Sequence, residues 1–114
     1  MQPIAFLGQT RLGAPAISPD DRAFLLGDGC FETLRVSGGK ADGIADHIAL
    51  LARSAEVLGI SDYPDAAILR DAITALAASA SGEASLRITL SRGAGGRGED
   101  HGQVYKGGLV AVDD

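Results

Sequence analysis

The stretch Cys30-Phe31-Glu32-Thr33-Leu34-Arg35-Val36 decides the fold class. Cys30, Leu34 and Val36 share one face, with Glu32 as the polar exception among them; Phe31, Thr33 and Arg35 share the other. A period of two reads as a strand with one covered face. Ser37-Gly38-Gly39-Lys40 supplies a turn, and residues 41–44 are expected to return as a hairpin partner. From Ala45 the period becomes helical. Ile44, Ile48, Leu51, Ala55 and Leu58 form one apolar stripe, and Gly59 suits the position just past a helix end. The acids and Pro64 at 62–65 open a second helix, whose stripe Leu69, Ile73, Leu76, Ala80 runs to Ser81-Gly82. Ala84, Leu86, Ile88 and Leu90 then alternate with Ser85, Arg87, Thr89 and Ser91, the clearest strand of the chain.

Working outward, residues 4–7 read as an opening strand and 8–20 as a loop rich in turn residues. Seven glycines fall between Gly93 and Gly108, which makes that region loop, and 109–112 add a final strand. Strands, two helices, then strands predict an α+β two-layer domain, with a mainly antiparallel sheet and both helices on one face. No linker or repeat interrupts residues 1–114, so one domain is expected. Phe31, Thr33, Arg35, Arg87 and Thr89 then point away from the helices. Such a face is either plain solvated polarity or a surface turned to a ligand or second domain, with arginines placed to meet carboxylates.

Composition narrows the function classes. The chain has 114 residues, a net charge of −5, no Trp and one cysteine. Its core must be built from Ala, Leu, Ile and Val. The acidic balance argues against a nucleic-acid surface. No apolar run is long enough to span a membrane, and no leader pattern opens the chain, so a cytoplasmic location is expected. A single cysteine excludes an internal disulfide, and neither histidine has a partner at zinc spacing, so no metal is expected.

Among residues able to carry chemistry, Ser91-Arg92-Gly93-Ala94-Gly95-Gly96-Arg97-Gly98 could cradle an anion with its backbone N–H groups. It is neither a Walker A loop nor a dinucleotide fingerprint. His47, next to Asp46 at a helix start, reads as a structural group that caps or pairs with its neighbour. Cys30 alternates inward and behaves as a small hydrophobe. Lys40 and Lys106 flank glycines and read as solvated, unlike the desolvated lysine that a Schiff base requires. No catalytic residue is assigned.

Taken in order, Asp21-Arg22, Gly27-Asp28-Gly29, Phe31-Glu32-Thr33, the His47…Leu51…Ser54-Ala55 helix and Ser91-Arg92-Gly93…Arg97-Gly98 form a specific set of anchors. The chain resembles the N-terminal segment of class IV, fold-type IV, pyridoxal-phosphate aminotransferases and lyases. It is most similar to the 4-amino-4-deoxychorismate lyase branch, with branched-chain and D-amino-acid aminotransferases close behind. The resemblance implies a small α+β domain, with pyridoxal phosphate held between it and a larger C-terminal domain, in a homodimer. It implies a small anionic, amino-acid-like substrate and, for the lyase branch, a place in folate biosynthesis through p-aminobenzoate. It places Phe31 and Thr33 in the substrate pocket and Arg97 on the substrate carboxylate. The Schiff-base lysine would come from outside these residues, so the chain alone is expected to be inactive.

Two departures stand out. The family helix reads His-x-x-Arg-Leu, with the arginine on the cofactor phosphate; here it reads His47-Ile48-Ala49-Leu50-Leu51. Loss of such an ionic hydrogen bond amounts to about 1.5–3 kcal/mol, or roughly 10- to 150-fold in affinity. Arg53, one turn further on, is a candidate substitute, and cofactor-binding residues are otherwise unassigned. Glu99-Asp100 adds charge that opposes an anionic substrate. Two alternatives follow: a degenerate stand-alone binding or oligomerisation module without pyridoxal phosphate, and a small anion-binding protein using Arg35, Arg87, Arg92 and Arg97.

Overall fold

A computed structural model describes residues 3–13, 19–93 and 108–113. In chain order the elements are β1 Ile4–Leu7, β2 Thr10–Arg11, α1 Arg22–Leu26, β3 Gly29–Ser37, β4 Lys40–Ala41, α2 Ile44–Leu58, α3 Ala66–Ala78, β5 Glu83–Ser91 and β6 Gly108–Asp113. They form one six-stranded sheet in the order β2-β1-β6-β5-β3-β4, with each neighbouring pair antiparallel. The α+β class and the antiparallel sheet agree with the sequence reading.

The alternation of β3 and β5 builds the core. Their register sets Leu34 opposite Leu86, Glu32 opposite Ile88 and Cys30 opposite Leu90. Leu34, Val36, Leu86, Ile88 and Leu90 are fully buried, and Leu51 and Ala55 of α2 close over them. α2 lies along β3, and α3 lies against α2, β4 and β5. Alanines in the helices let them approach the sheet closely, while the leucines and isoleucines supply the apolar area removed from water.

Three sequence expectations are corrected. The return strand stops at Ala41, because Gly43 turns with φ 65° and Ile44 already begins α2. α3 opens on Asp65, within the expected start, its carboxylate accepting from the Ile68 N–H at 3.0 Å, but it ends at Ala78 instead of continuing to Gly82. There Ser79 Oγ donates to the Leu76 carbonyl at 2.7 Å, closing the last turn. The third correction is a further helix, α1. Five residues give no readable period; Asp21 caps its start, and Gly27, at φ 67°, ends it. The glycine-rich loop falls largely outside the described residues.

The start of β3 is locked at one corner. Asp28 Oδ2 accepts from Arg22 Nε and from Arg92 Nε, each at 2.7 Å. Arg92 also donates to the carbonyls of Leu58 and Gly59, tying the corner to the C-terminal end of α2, where a cation also complements the helix dipole. Ser91 Oγ donates to Asp21 and accepts from Gly93 N–H at 2.9 Å. The Arg22 N–H donates to the Gly93 carbonyl at 2.8 Å. Gly29 sits within this corner at close quarters: a Cβ there would lie 2.5 Å from the Leu90 carbonyl oxygen.

Burial pushes the Asp28 carboxyl up, but the hydrogen bonds and charges of Arg92 and Arg22 outweigh it and hold the group below its usual value. A carboxyl depressed in the folded state contributes stability above its unfolded value of about 3.9, and loses it as pH falls through the folded value. Asp28→Asn is therefore expected to lower stability at pH 7 by about 2 kcal/mol, with the gap from wild type closing below about pH 4; urea melts across pH check it. Gly29→Ala should cost about 1–3 kcal/mol through overpacking. Gly13→Ala, with nothing within 4 Å of the added carbon, should melt close to wild type in the same thermal scan.

Candidate functional site

β3 presents different chemistry on its two faces. On the open face, Phe31 is 55% exposed and Thr33 is exposed beside it. The register brings Thr89 opposite Phe31 and Arg87 opposite Thr33. The Arg87 guanidinium lies 4.0 Å from the centre of the Phe31 ring. A stacked guanidinium is held by the π face while its in-plane N–H groups point outward, the geometry that suits a carboxylate. Arg35, further along the strand, is engaged differently: its Nη2 lies 2.8 Å from Glu83. That pair is solvated, and the hydrogen bonds of Arg35 and Ser37, with the Arg35 charge, hold the Glu83 carboxyl down.

The structure thus places Phe31 and Thr33 together on one surface. Arg97 lies outside the described residues, as do Lys106, His101, Glu99 and Asp100. Arg87 is the member of this surface that sequence reading left as only one of several outward arginines. Its stacking on Phe31 depends on cross-strand register, which no local pattern encodes.

On the helix face, Glu32 is the exception that the alternation left unexplained. Its Oε1 lies 2.8 Å from His47 Nδ1, both groups being partly buried. This corrects the expectation that His47 pairs with its sequence neighbour. A carboxylate turned toward a helix needs a hydrogen-bond partner, and His47, in the first turn of α2, provides it. The bond sets α2 against β3 by a polar contact as well as an apolar one.

Next to it, Cys30, Leu50, Arg53, Ser54, Val57 and Leu58 line an open groove of about 550 Å³ between α2 and the start of β3. Leu50 is 42% exposed and Val57 86% exposed. Burial first, and the Glu32 charge second, push the Cys30 thiol up, so it is protonated at neutral pH. Arg53 is then the charged residue of the lining. Leu50 and Arg53 open on the same groove, as one helical turn of separation requires.

Pyridoxal phosphate needs an amine for its aldehyde and donors for its phosphate. The groove offers a guanidinium and a hydroxyl but no lysine. Among the described residues the lysine is Lys40, exposed at the first position of β4. The described residues thus bring no lysine to the groove. They also hold no cluster of His, Cys, Asp and Glu able to bind a metal ion, and no helix among them is long and apolar enough to cross a membrane.

Comparison with known proteins agrees with this fold. The bifunctional aminodeoxychorismate lyase / D-amino acid transaminase of Mycobacterium tuberculosis is 36% identical over 85 residues, which are 71% of this chain and 29% of that protein. The crystal structure of 4-amino-4-deoxychorismate lyase from Pseudomonas aeruginosa superposes with a TM-score of 0.77 at 27% identity, over 96% of this chain and 39% of that one. A hypothetical aminotransferase from Mycobacterium tuberculosis, in its pyridoxal-phosphate-bound form, gives 0.75 at 27% identity, over 97% and 39%. The chain thus spans well under half the length of these relatives. The model of the amino-transferase class IV family matches residues 29–107, from the first residue of β3 to just before β6. The corner, the two-faced strand and the match over most of the chain lead to one conclusion: this chain belongs to the amino-transferase class IV family.

Proposed function

We propose that these residues form the substrate-pocket domain of a pyridoxal-phosphate-dependent enzyme of the aminodeoxychorismate lyase or aminotransferase kind. The observation that carries the reading is the Arg87–Phe31 stack beside Thr33 on the uncovered sheet face. The flat ring of Phe31 and the Thr33 side chain form a wall for the body of a small amino-acid-like substrate. Arg87 meets its carboxylate, and Arg97 adds a second cation from the glycine-rich loop. Such groups bind, orient and exclude water. A further domain, corresponding to the length of the relatives that this chain does not span, supplies the lysine and holds the cofactor. In this reading the chain alone is inactive, and the enzyme is a cytoplasmic homodimer. Pocket walls that only position substrate act by fixing geometry, so their removal weakens binding and misplaces the reacting atoms.

A second reading, a stand-alone binding module, is favoured by one observation: the apolar Leu50 stands in the groove where the family pattern has a cation.

With 4-aminobenzoate as a carboxylate probe, amide shifts in a nuclear magnetic resonance titration are expected at Phe31, Thr33, Arg87 and Thr89. Arg87→Gln should weaken binding about tenfold or more, from loss of a charge-assisted hydrogen bond. Shifts that avoid β3 and β5, or an affinity indifferent to Arg87, would contradict the assignment. After incubation with pyridoxal phosphate and borohydride, mass spectrometry should find no stoichiometric pyridoxyl group on Lys40 or Lys106. Such an adduct, with turnover, would contradict the division of labour.

A further inference from the structure

We infer that the outer edge of β3, at Phe31 and Thr33, accepts an extended peptide segment of another chain as one more antiparallel strand. Two hydrogen bonds fix the direction of the main chain along β3. The Arg92 N–H donates to the Asp28 carbonyl at 3.1 Å, in register with the β5 ladder, so even-numbered residues of β3 turn their backbone groups to β5. The Asp42 N–H donates to the Arg35 carbonyl at 2.9 Å, so odd-numbered residues turn theirs to the side of β4. β4, the outermost strand here, pairs with Val36 and Ser37 alone. Phe31 and Thr33, both exposed, therefore direct an N–H and a C=O each past the end of β4, where no described strand pairs with them.

An edge of this kind is a template for a further strand, and proteins blunt it with proline, lysine, a bulge or a covering element. From Gly29 to Arg35 there is no proline and no lysine. The register with β5 runs through nine consecutive pairs without a bulge. Main-chain bonds then supply affinity, and alternate side chains supply selection. Residues placed opposite Phe31 and Thr33 share their open face. There they meet the Arg87 guanidinium over the Phe31 ring, whereas Arg22, Arg35 and Arg92 are engaged by Asp28 or Glu83. That cation selects an acidic side chain. The intervening side chains turn toward the helix layer beside Cys30, Leu50 and Val57, which selects apolar ones. A second copy of β3 fits poorly. Twofold pairing about Thr33 sets Phe31 against Arg35, whose carbonyl already accepts from Asp42. Twofold pairing about Phe31 brings two Arg87 cations together, a like-charge contact. The edge binds through main-chain groups, so it goes beyond the substrate-pocket reading and does not rest on it.

The peptide acetyl-Val-Glu-Val-Glu-Val-amide tests the inference. In the free chain, the Phe31 and Thr33 amides should exchange with deuterium faster than those of Glu32 and Leu34, and saturating peptide should slow them. N-methylation of both glutamates removes the N–H groups that face β3 and should weaken binding about tenfold or more. N-methylation of the second and third valines, whose N–H groups face solvent, should leave the affinity within about twofold. Thr33→Pro removes the edge N–H and no bond to β5, so it should bind about tenfold more weakly, while Thr33→Val binds like wild type; circular dichroism should show both folded. Absence of binding, equal loss from the two methylation patterns, or full affinity in Thr33→Pro overturns the inference. So does slow exchange at Phe31 and Thr33 without peptide, and a concentration-dependent dimer producing it gives the edge to a second copy. Failure of 4-aminobenzoate to bind would leave the methylation pattern and the amide protection unchanged.

Discussion

Asp28 stands between two arginines that are 70 residues apart, and the rest of the structure is hung from that carboxylate. Arg22 belongs to α1, and Arg92 follows β5 and reaches the end of α2. One carboxylate thus fixes a short helix, the first residues of the central strand and the far end of the covering helix. Partly buried ionic contacts of this kind are costly to break on one side, because the remaining charges have lost water without keeping a partner. Gly29 fits the same constraint. The chain passes so close to the Leu90 carbonyl that no side chain can be accommodated.

From this corner β3 runs with one face committed to the core and one left open. The committed face is apolar except at Glu32, and the His47 hydrogen bond lets a carboxylate sit there. The open face carries Phe31, Thr33 and Arg35 in sequence, joined across the register by Arg87 and Thr89. A sheet covered on one side alone is stable when its other side is polar enough to remain wet. It then offers a flat surface whose side chains are held by backbone register and not by a loop. Such a surface is well suited to positioning a ligand, because the strand geometry sets the spacing of its side chains.

Family membership and local chemistry carry different weight. Class IV membership rests on a match over most of the chain. The described residues themselves contain an exposed sheet face with one arginine over an aromatic ring and an apolar groove, and no lysine lines that groove. A fold can host a family's reaction without each of its parts holding the reacting groups. Leu50 is the sharpest local difference from the pattern the sequence resembles, an exposed apolar side chain that opens on the groove beside α2.

The sequence by itself determined the class of the fold, the two long strands, both long helices and the outward direction of Phe31 and Thr33. Periods of two and of 3.6 are written residue by residue, so they can be read without a partner element. It also carried the anchors that converge at the corner: Asp21-Arg22, Gly27-Asp28-Gly29 and Ser91-Arg92-Gly93 are all visible as charged residues, the last two beside glycines. That they meet was decided only by tertiary structure. So were the place of β6 between β1 and β5, the short helix α1, the partner of His47 and the stacking of Arg87 on Phe31. Each of these joins residues distant along the chain. Their proximity follows from strand order and register, which are set by how the whole core closes and not by any local run of residues.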